Sequence, residues 1–214
     1  MKFKNRLEAA QLLIPRLMKY KGQNPLVLGI PRGAMPMARM IAEDLQGELG
    51  AVLVHKIPHP LNEELAVASI ALSGRIHKIA TFRELEIPKN YLAEEAERQL
   101  ARLRARQKQF HLGDLNCKNR IVILVDDGIA TGATVLGAID EVRAQQPARL
   151  VLAAGVCAPD TAARLRPLVD EFVVLDIPPF FLAVGEFFDD FSEVTDKDVI
   201  RILKQDRSRH ELTT

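Results

Sequence analysis

The sequence has no tryptophan, two tyrosines and two cysteines in 214 residues. Two cysteines, Cys117 and Cys157, make neither a disulfide framework nor a metal-binding spacing. They fit reduced thiols in a cytosolic protein, so a cytoplasmic location is expected. The five histidines, His55, His59, His77, His111 and His210, also lack metal-ligand spacing. No stretch approaches the roughly 20 apolar residues of a membrane span. The charged N-terminus lacks the apolar core of a secretory leader, so none is expected. Neither charge sign dominates: 29 basic residues face 28 acidic ones, for a net charge of +1. Nucleic acid is therefore not an expected partner, although a local basic patch stays open. There is no G-x-x-x-x-G-K phosphate loop, no G-x-G-x-x-G dinucleotide turn and no G-x-S-x-G elbow. Internal repeats and low-complexity segments are absent too.

What remains is the composition of a globular domain, 48% hydrophobic and 27% charged. Short, continuously apolar runs alternate with amphipathic ones. Residues 5–20 predict a helix with Leu7, Ala10, Ile14, Leu17 and Met18 on one face, an Asn5/Glu8 capping box, and a bend or break at Pro15. Strands are expected at 26–30, 51–57, 121–125, 149–156 and 171–175, and helices from the 31–36 turn to about 45, and at 90–110, 135–144, 159–168 and 196–204. Residues 58–64 read as a loop, and 66–72 with 76–82 as a hairpin across Ser73-Gly74. The tail from Gln205 reads as frayed. The expected fold is α/β: a parallel sheet flanked by helices on both faces, with a hairpin/loop insertion and a small C-terminal hood. One domain over 1–214 is expected, with the insertion at about 56–112 and the hood at about 176–195.

Three stretches carry chemistry. In the first, Val122-Ile123-Leu124-Val125 is a buried strand, and Asp126-Asp127 stands where it should end. Gly128-Ile129-Ala130-Thr131-Gly132-Ala133-Thr134 is then a turn rich in small and hydroxyl residues, running into a helix start. Carboxyl ends of parallel strands bind ligands, and helix starts favour phosphate. Two hydrogen-bond acceptors beside a phosphate cradle suit a sugar phosphate. In the second, a short strand ends in Pro31-Arg32-Gly33-Ala34-Met35-Pro36, which reads either as an anion-friendly turn or as a plain turn with a surface arginine. In the third, residues 177–191 hold five of the nine phenylalanines and an acidic pair. Those aromatics could wall a flat ligand or form satellite core. The basic end of the long helix, with Arg98, Arg102, Arg104, Arg106 and Lys108, reads as a solvated face, the alternative being a partner-binding patch.

The stretch from Val122 to Thr134 resembles the phosphoribosyl pyrophosphate (PRPP) loop of the type I phosphoribosyltransferases. Gly128 is the departure, standing where that family usually has a larger apolar residue. Gly29 to Ala34 is similar to the family's pyrophosphate loop, and Ala183 to Asp189 to the base-binding hood of its 6-oxopurine members. Together with Asn62 to Ala66 and Phe180 to Phe191, these stretches resemble a bacterial group of predicted phosphoribosyltransferases of unsettled substrate, over residues 3–203.

The resemblance implies Mg-dependent transfer of a phosphoribosyl group from PRPP to a nucleobase-like acceptor, with release of pyrophosphate. Asp126 and Asp127 would take the ribose hydroxyls. Gly128, Ile129, Ala130, Thr131, Gly132 and Thr134 would hold the 5-phosphate, and Arg32 with Gly33 the pyrophosphate. Mg²⁺ would be held mainly through PRPP oxygens and water. Residues 56–82 fall where the family has a mobile catalytic loop, so Lys56 would reach pyrophosphate and Glu63 or Glu64 would handle a base proton; each also reads as a solvated loop charge. Phe181 and Asp189 would face the acceptor. Dimers are common in the resembled family, and a homodimer is expected on that ground alone.

Ala130 and Ala133 stand where 6-oxopurine enzymes carry an aspartate base and a lysine, so the acceptor is left unspecified. Two other readings stay open: a PRPP- or nucleotide-binding regulator without catalysis, and a hydrolase or phosphorylase acting on a phosphoribosyl compound. Arg32-Gly33 favours the enzyme, since a sensor of a monophosphate needs no pyrophosphate turn.

Overall fold

A computed structural model describes residues 1–79, 82 and 85–211, without the side chains of Glu64, His210 and Glu211. The far end of the expected second hairpin arm, Ala80 and Thr81, lies outside the described residues. The elements run α1 (Arg6–Leu17), β1 (Leu26–Gly29), α2 (Met35–Leu45), β2 (Glu48–Ala51), β3 (Val54–His59), β4 (Asn62–Ala71), β5 (Ile76–Lys78), α3 (Tyr91–Gln109), β6 (Ile121–Ile129), α4 (Ala133–Arg143), β7 (Arg149–Cys157), α5 (Pro159–Leu165), β8 (Glu171–Asp176) and α6 (Asp196–Glu211).

Five of these strands make a parallel sheet in the order β2-β1-β6-β7-β8. Alternate side chains of each strand leave on opposite faces. Val27, Ile123, Val125, Val151 and Ala153 meet α1 and α2 on one face. Leu28, Val122, Leu124, Leu150 and Leu152 meet α4 and α5 on the other. Both faces are thus covered, which is why the strands read as unbroken apolar runs. Each fully buried Val or Leu contributes about 1.5–3 kcal/mol. Strand order reverses between β1 and β6, and that is where crevices form in such sheets.

The insertion builds a second, antiparallel sheet in the order β3-β4-β5. It packs on α3 through Ile57, Val67, Ile70, Ala96 and Leu103, and on α4 by way of β4. The hood is anchored to the N-terminus: Phe3 and Phe188 form a bridge, Phe3 N donates to Phe187 O at 2.8 Å, and the Phe3 and Phe188 rings lie 5.3 Å apart.

Five expectations change. The predicted strand 51–57 is two strands: Ala51 ends a parallel pairing with β1, while Val54 opens an antiparallel one with β4. Apolar periodicity cannot show a change of partner. The predicted loop 58–64 is a hairpin around Pro60–Leu61. Pro58 is tolerated inside β3 because the register shifts on either side of it. Helix α1 runs two residues past Pro15 to Leu17 rather than breaking there, and it buries Ala9, Ala10, Leu13 and Leu17 while Leu7 and Met18 stay exposed. Strand β6 continues through both aspartates to Ile129, since Gly128 and Ile129 still pair with Val156 and Cys157. Finally, the tail is helical to Glu211 and tied down by Arg207 donating to His111 O at 2.9 Å and Arg209 to Gly47 O at 3.0 Å.

Gly128 has a local explanation. A Cβ there would lie 2.3 Å from Val184 Cγ1 and 2.9 Å from Val156 Cγ1. The hood's Val184 occupies the room that a larger residue would need, and a β-branched side chain has little freedom to turn away. Gly128→Ala is expected to cost about 1–3 kcal/mol in denaturant unfolding. Adding Val184→Ala should restore part of it, with a coupling above about 0.5 kcal/mol. Purely additive losses would show that the two do not share this space.

Candidate active site

Because Gly29 pairs with Val125, the chain leaving β1 emerges beside the carboxylates of β6. Ile30 N donates to Val125 O at 3.0 Å, and the turn Pro31–Ala34 then crosses over Asp127. A Cβ on Gly33 would sit 2.2 Å from Asp127 Oδ2, so only glycine permits this approach. Backbone topology therefore brings Gly33 onto the carboxylate of a strand distant in sequence.

Beyond Ile129 the turn leads into α4. Gly132 is its N-cap, at φ +75°, and supplies no side-chain cap. The first-turn N–H groups of α4 thus have neither helical nor capping acceptors, and the helix dipole adds positive potential there. The turn's carbonyls are tied away on the other side. Thr161 Oγ1 donates to Ala130 O at 2.6 Å, and Arg164 donates to Thr131 O at 3.0 Å. Such a turn can receive an anion on its N–H side. Thr131 is exposed and Thr134 half-buried, so both hydroxyls can join it.

Asp127 is buried, and its Oδ2 accepts from Arg6 Nε at 2.7 Å. Arg6 also donates to Ser192 O at 2.7 Å and lies 3.9 Å over the Phe191 ring. It binds α1, the carboxylate pair and the hood into one unit. Sequence reasoning missed Arg6. Its one signal was an arginine in the first turn of a helix, where the dipole disfavours positive charge unless another partner supplies the compensation. Asp126 accepts from Asp127 N at 2.9 Å. Burial, followed by the charge of Asp127, pushes the Asp126 carboxyl well above the ordinary carboxylate range, while Lys56 acts in the opposite direction. Cys157, paired with Ile129 across the strands, is pushed up to about 12 by burial and then by Asp126, so its thiol stays protonated.

The other expected residues lie further out. Arg32 pairs with Glu193 at 2.8 Å, an exposed contact worth about 0–1 kcal/mol that an anion can displace. Lys56 is exposed on β3, and with Thr134 it lines a neighbouring cavity that also includes Glu63. The Glu64 side chain lies outside the described residues. Phe181 stacks on Phe187 at 5.2 Å between centroids. Asp189 is exposed and pairs with Lys2 at 2.7 Å. No cluster of three or more metal-binding side chains occurs among the described residues, and none of their helices is long and apolar enough to cross a membrane.

Fold and site together define an α/β protein with an uncapped helix start and a carboxylate pair at the switch point of a parallel sheet. The chain belongs to the phosphoribosyl transferase family: the model of the phosphoribosyl transferase domain matches residues 4–191. It is 34% identical over 204 residues to a protein provisionally named a phosphoribosyl transferase in two strains of Mycobacterium tuberculosis, CDC 1551 / Oshkosh and H37Rv. That alignment covers 94% of this chain and 46% of the mycobacterial protein, so the chain spans about half the length of those relatives. The crystal structure of TT1426 from Thermus thermophilus is similar throughout, with 38% identity, a TM-score of 0.82, and coverage of 96% of this chain and 99% of that one.

Arg6→Ala leaves Asp127 buried and unpaired, and is expected to cost about 3 kcal/mol in urea unfolding. A loss below about 1 kcal/mol would mean that water already screens the pair. Asp126 gives a pH-dependent counterpart. Its raised pKa means that the folded state holds this proton more tightly than the unfolded chain does. Ionised Asp126 therefore subtracts stability above the ordinary carboxylate range, and the deficit vanishes as pH falls to that range. Asp126→Asn should raise Tm by about 2–4 °C at about pH 8 and change it little at about pH 4. A drop in Tm at the higher pH would contradict this.

Proposed function

We propose that the chain transfers a phosphoribosyl group from PRPP to a nucleobase-like acceptor in an Mg-dependent reaction that releases pyrophosphate. The observation that carries the reading is the adjacency of two anion-ready turns, Pro31–Ala34 and the start of α4, on either side of Asp126 and Asp127. That spacing suits a ligand with phosphate at both ends and a polyol between them. Asp126 and Asp127 would accept from the ribose hydroxyls, residues 128–134 would hold the 5-phosphate, and Arg32 with the Gly33 backbone would hold pyrophosphate. The anomeric C–O bond to pyrophosphate breaks and a C–N bond to the acceptor forms. Pyrophosphate leaves with the bonding electrons, and the acceptor nitrogen loses its proton to a base, for which Glu63 and Glu64 are the candidates.

The donor set fits Mg²⁺ held mostly by its substrate: two adjacent carboxylates, one of them engaged by Arg6, beside an anion cradle. When bound, the ion would neutralise charge on the departing pyrophosphate. The chain's own part is to align the donor, to stabilise charge with Arg32 and Lys56, and to keep water from the anomeric carbon.

The second reading, a PRPP-binding regulator, draws on the acceptor side. Ala130 and Ala133 offer no polar side chain, and Asp189 is engaged with Lys2. One experiment separates the two: a screen of nucleobases with PRPP and Mg²⁺ that follows pyrophosphate release. The enzyme reading expects turnover with at least one base, and its loss in Asp126→Asn/Asp127→Asn together with PRPP binding. Tight PRPP binding with no release for any base would select the regulator.

A further inference from the structure

Alongside the donor cradle lies a cavity of about 810 Å³ that belongs to the insertion. It meets the cradle at Pro31 and Thr134, and no residue of the hood lines it. One wall is the face of α3 that carries Arg98, Arg102 and Arg106. Their spacing of four residues puts all three on one side of the helix, about 12 Å from first to last, too far apart to serve a single phosphate together. Lys56 faces them from β3, and Glu63 and Glu95 are the acidic residues of the lining.

Local pairing leaves this charge incompletely compensated. Arg98 is shared with Glu95 at 3.1 Å and Glu94 at 3.9 Å, and Arg106 reaches Asp196 at 3.6 Å. Arg102 and Lys56 have no ion pair among the described residues.

The second observation is Gln99, which is 3% exposed and lines the same space. Its Nε2 donates to Glu95 Oε1 at 2.6 Å, while its Oε1 is buried without a hydrogen bond of good geometry among the described residues, the His55 ring being the group that interacts with this side chain. A wholly unmet buried carbonyl costs about 1–3 kcal/mol, and a well-aligned ligand hydroxyl or amino donor would recover the part that His55 leaves. The remaining lining supplies flat surfaces: Tyr91, whose hydroxyl donates to Pro58 O at 2.9 Å, and His55, whose pKa is lowered by burial, with the Gln99 side chain acting against that and the charges of Arg106 and Arg102 adding to it. The cavity thus offers several cations, one deep acceptor and neutral rings. A free nucleobase needs no arginine row, and bare polyphosphate cannot donate to Gln99.

We propose that this cavity is a second ligand site, for a nucleotide carrying two or more phosphates, adjoining the donor cradle at Thr134. Its phosphates lie along Arg98 and Arg102, and its hydroxyl or amino groups donate to Gln99. Two polyanions side by side repel, so an occupied site weakens donor binding. This coupling rests on the PRPP reading above, whereas nucleotide binding itself does not.

The test is calorimetric titration of ADP, inorganic tripolyphosphate and PRPP into three proteins: wild type, Arg98→Gln/Arg102→Gln, and Asp126→Asn/Asp127→Asn. Both arginines are exposed, so these changes leave the fold intact, as thermal unfolding checks. The arginine variant should bind ADP about tenfold or more weakly and PRPP within about twofold of wild type. The aspartate variant should lose PRPP and keep ADP, and ADP should weaken PRPP binding to wild type by about fivefold or more. ADP affinity that falls with the aspartates instead would put the nucleotide in the donor cradle and overturn the second site. Absence of ADP binding at millimolar concentration, insensitivity to the arginines, or tripolyphosphate binding as tightly as ADP would each overturn it too. Should PRPP fail to bind wild type while ADP behaves as stated, the donor reading falls and the nucleotide site stands.

Discussion

Everything at the ligand edge depends on the pairing of β1 with β6. With Gly29 beside Val125, the chain leaving β1 has nowhere to go but across the carboxylates of its neighbour. That approach is close enough to demand glycine at position 33, and the same turn borders one cavity with Thr134 at the start of α4. The crevice arises because β1 and β6 send their following helices to opposite faces of the sheet, α2 to one and α4 to the other. A one-strand change in sheet order would separate the two turns while leaving each locally intact.

A second constraint holds the edge in shape. Asp127 is buried among groups that would leave its charge expensive if unpaired, and Arg6 compensates it from the first turn of α1. The same guanidinium reaches Ser192 O and the Phe191 ring, so the hood is positioned by the charge that stabilises the carboxylate pair. Beneath the hood, Val184 packs against Gly128. The residue that departs from the family pattern is therefore a packing consequence of where the hood sits. Asp126 remains the destabilised member of the pair, because burial and the neighbouring Asp127 charge both disfavour its ionised form.

The parallel sheet, its flanking helices and the two turns at its carboxyl edge were legible because continuous apolar runs, small-residue turns and helical periodicity are local signals. Strand β6 was read correctly as far as Val125, but its last residues follow the ladder to β7, which no local pattern records. The split at Ala51 and the hairpin at 58–64 were illegible for the same reason: each depends on which strand becomes the partner. Arg6 was missed because its partner is 121 residues away. The basic row of α3, read as a solvated face, does expose Arg98 and Arg102, but periodicity does not record that the same side borders a cavity. The tail beyond Gln205 is polar in sequence yet held by carbonyls of His111 and Gly47, contacts that composition cannot show.

The account's central claim is that one ligand with phosphate at both ends spans the β1 and β6 turns. Amide hydrogen exchange with and without PRPP and Mg²⁺ tests it most directly. The account predicts added protection in both residues 31–35 and residues 128–135, with α5 and the outer strand β8 unchanged. Protection confined to one of the two turns, or lying outside both, would contradict it.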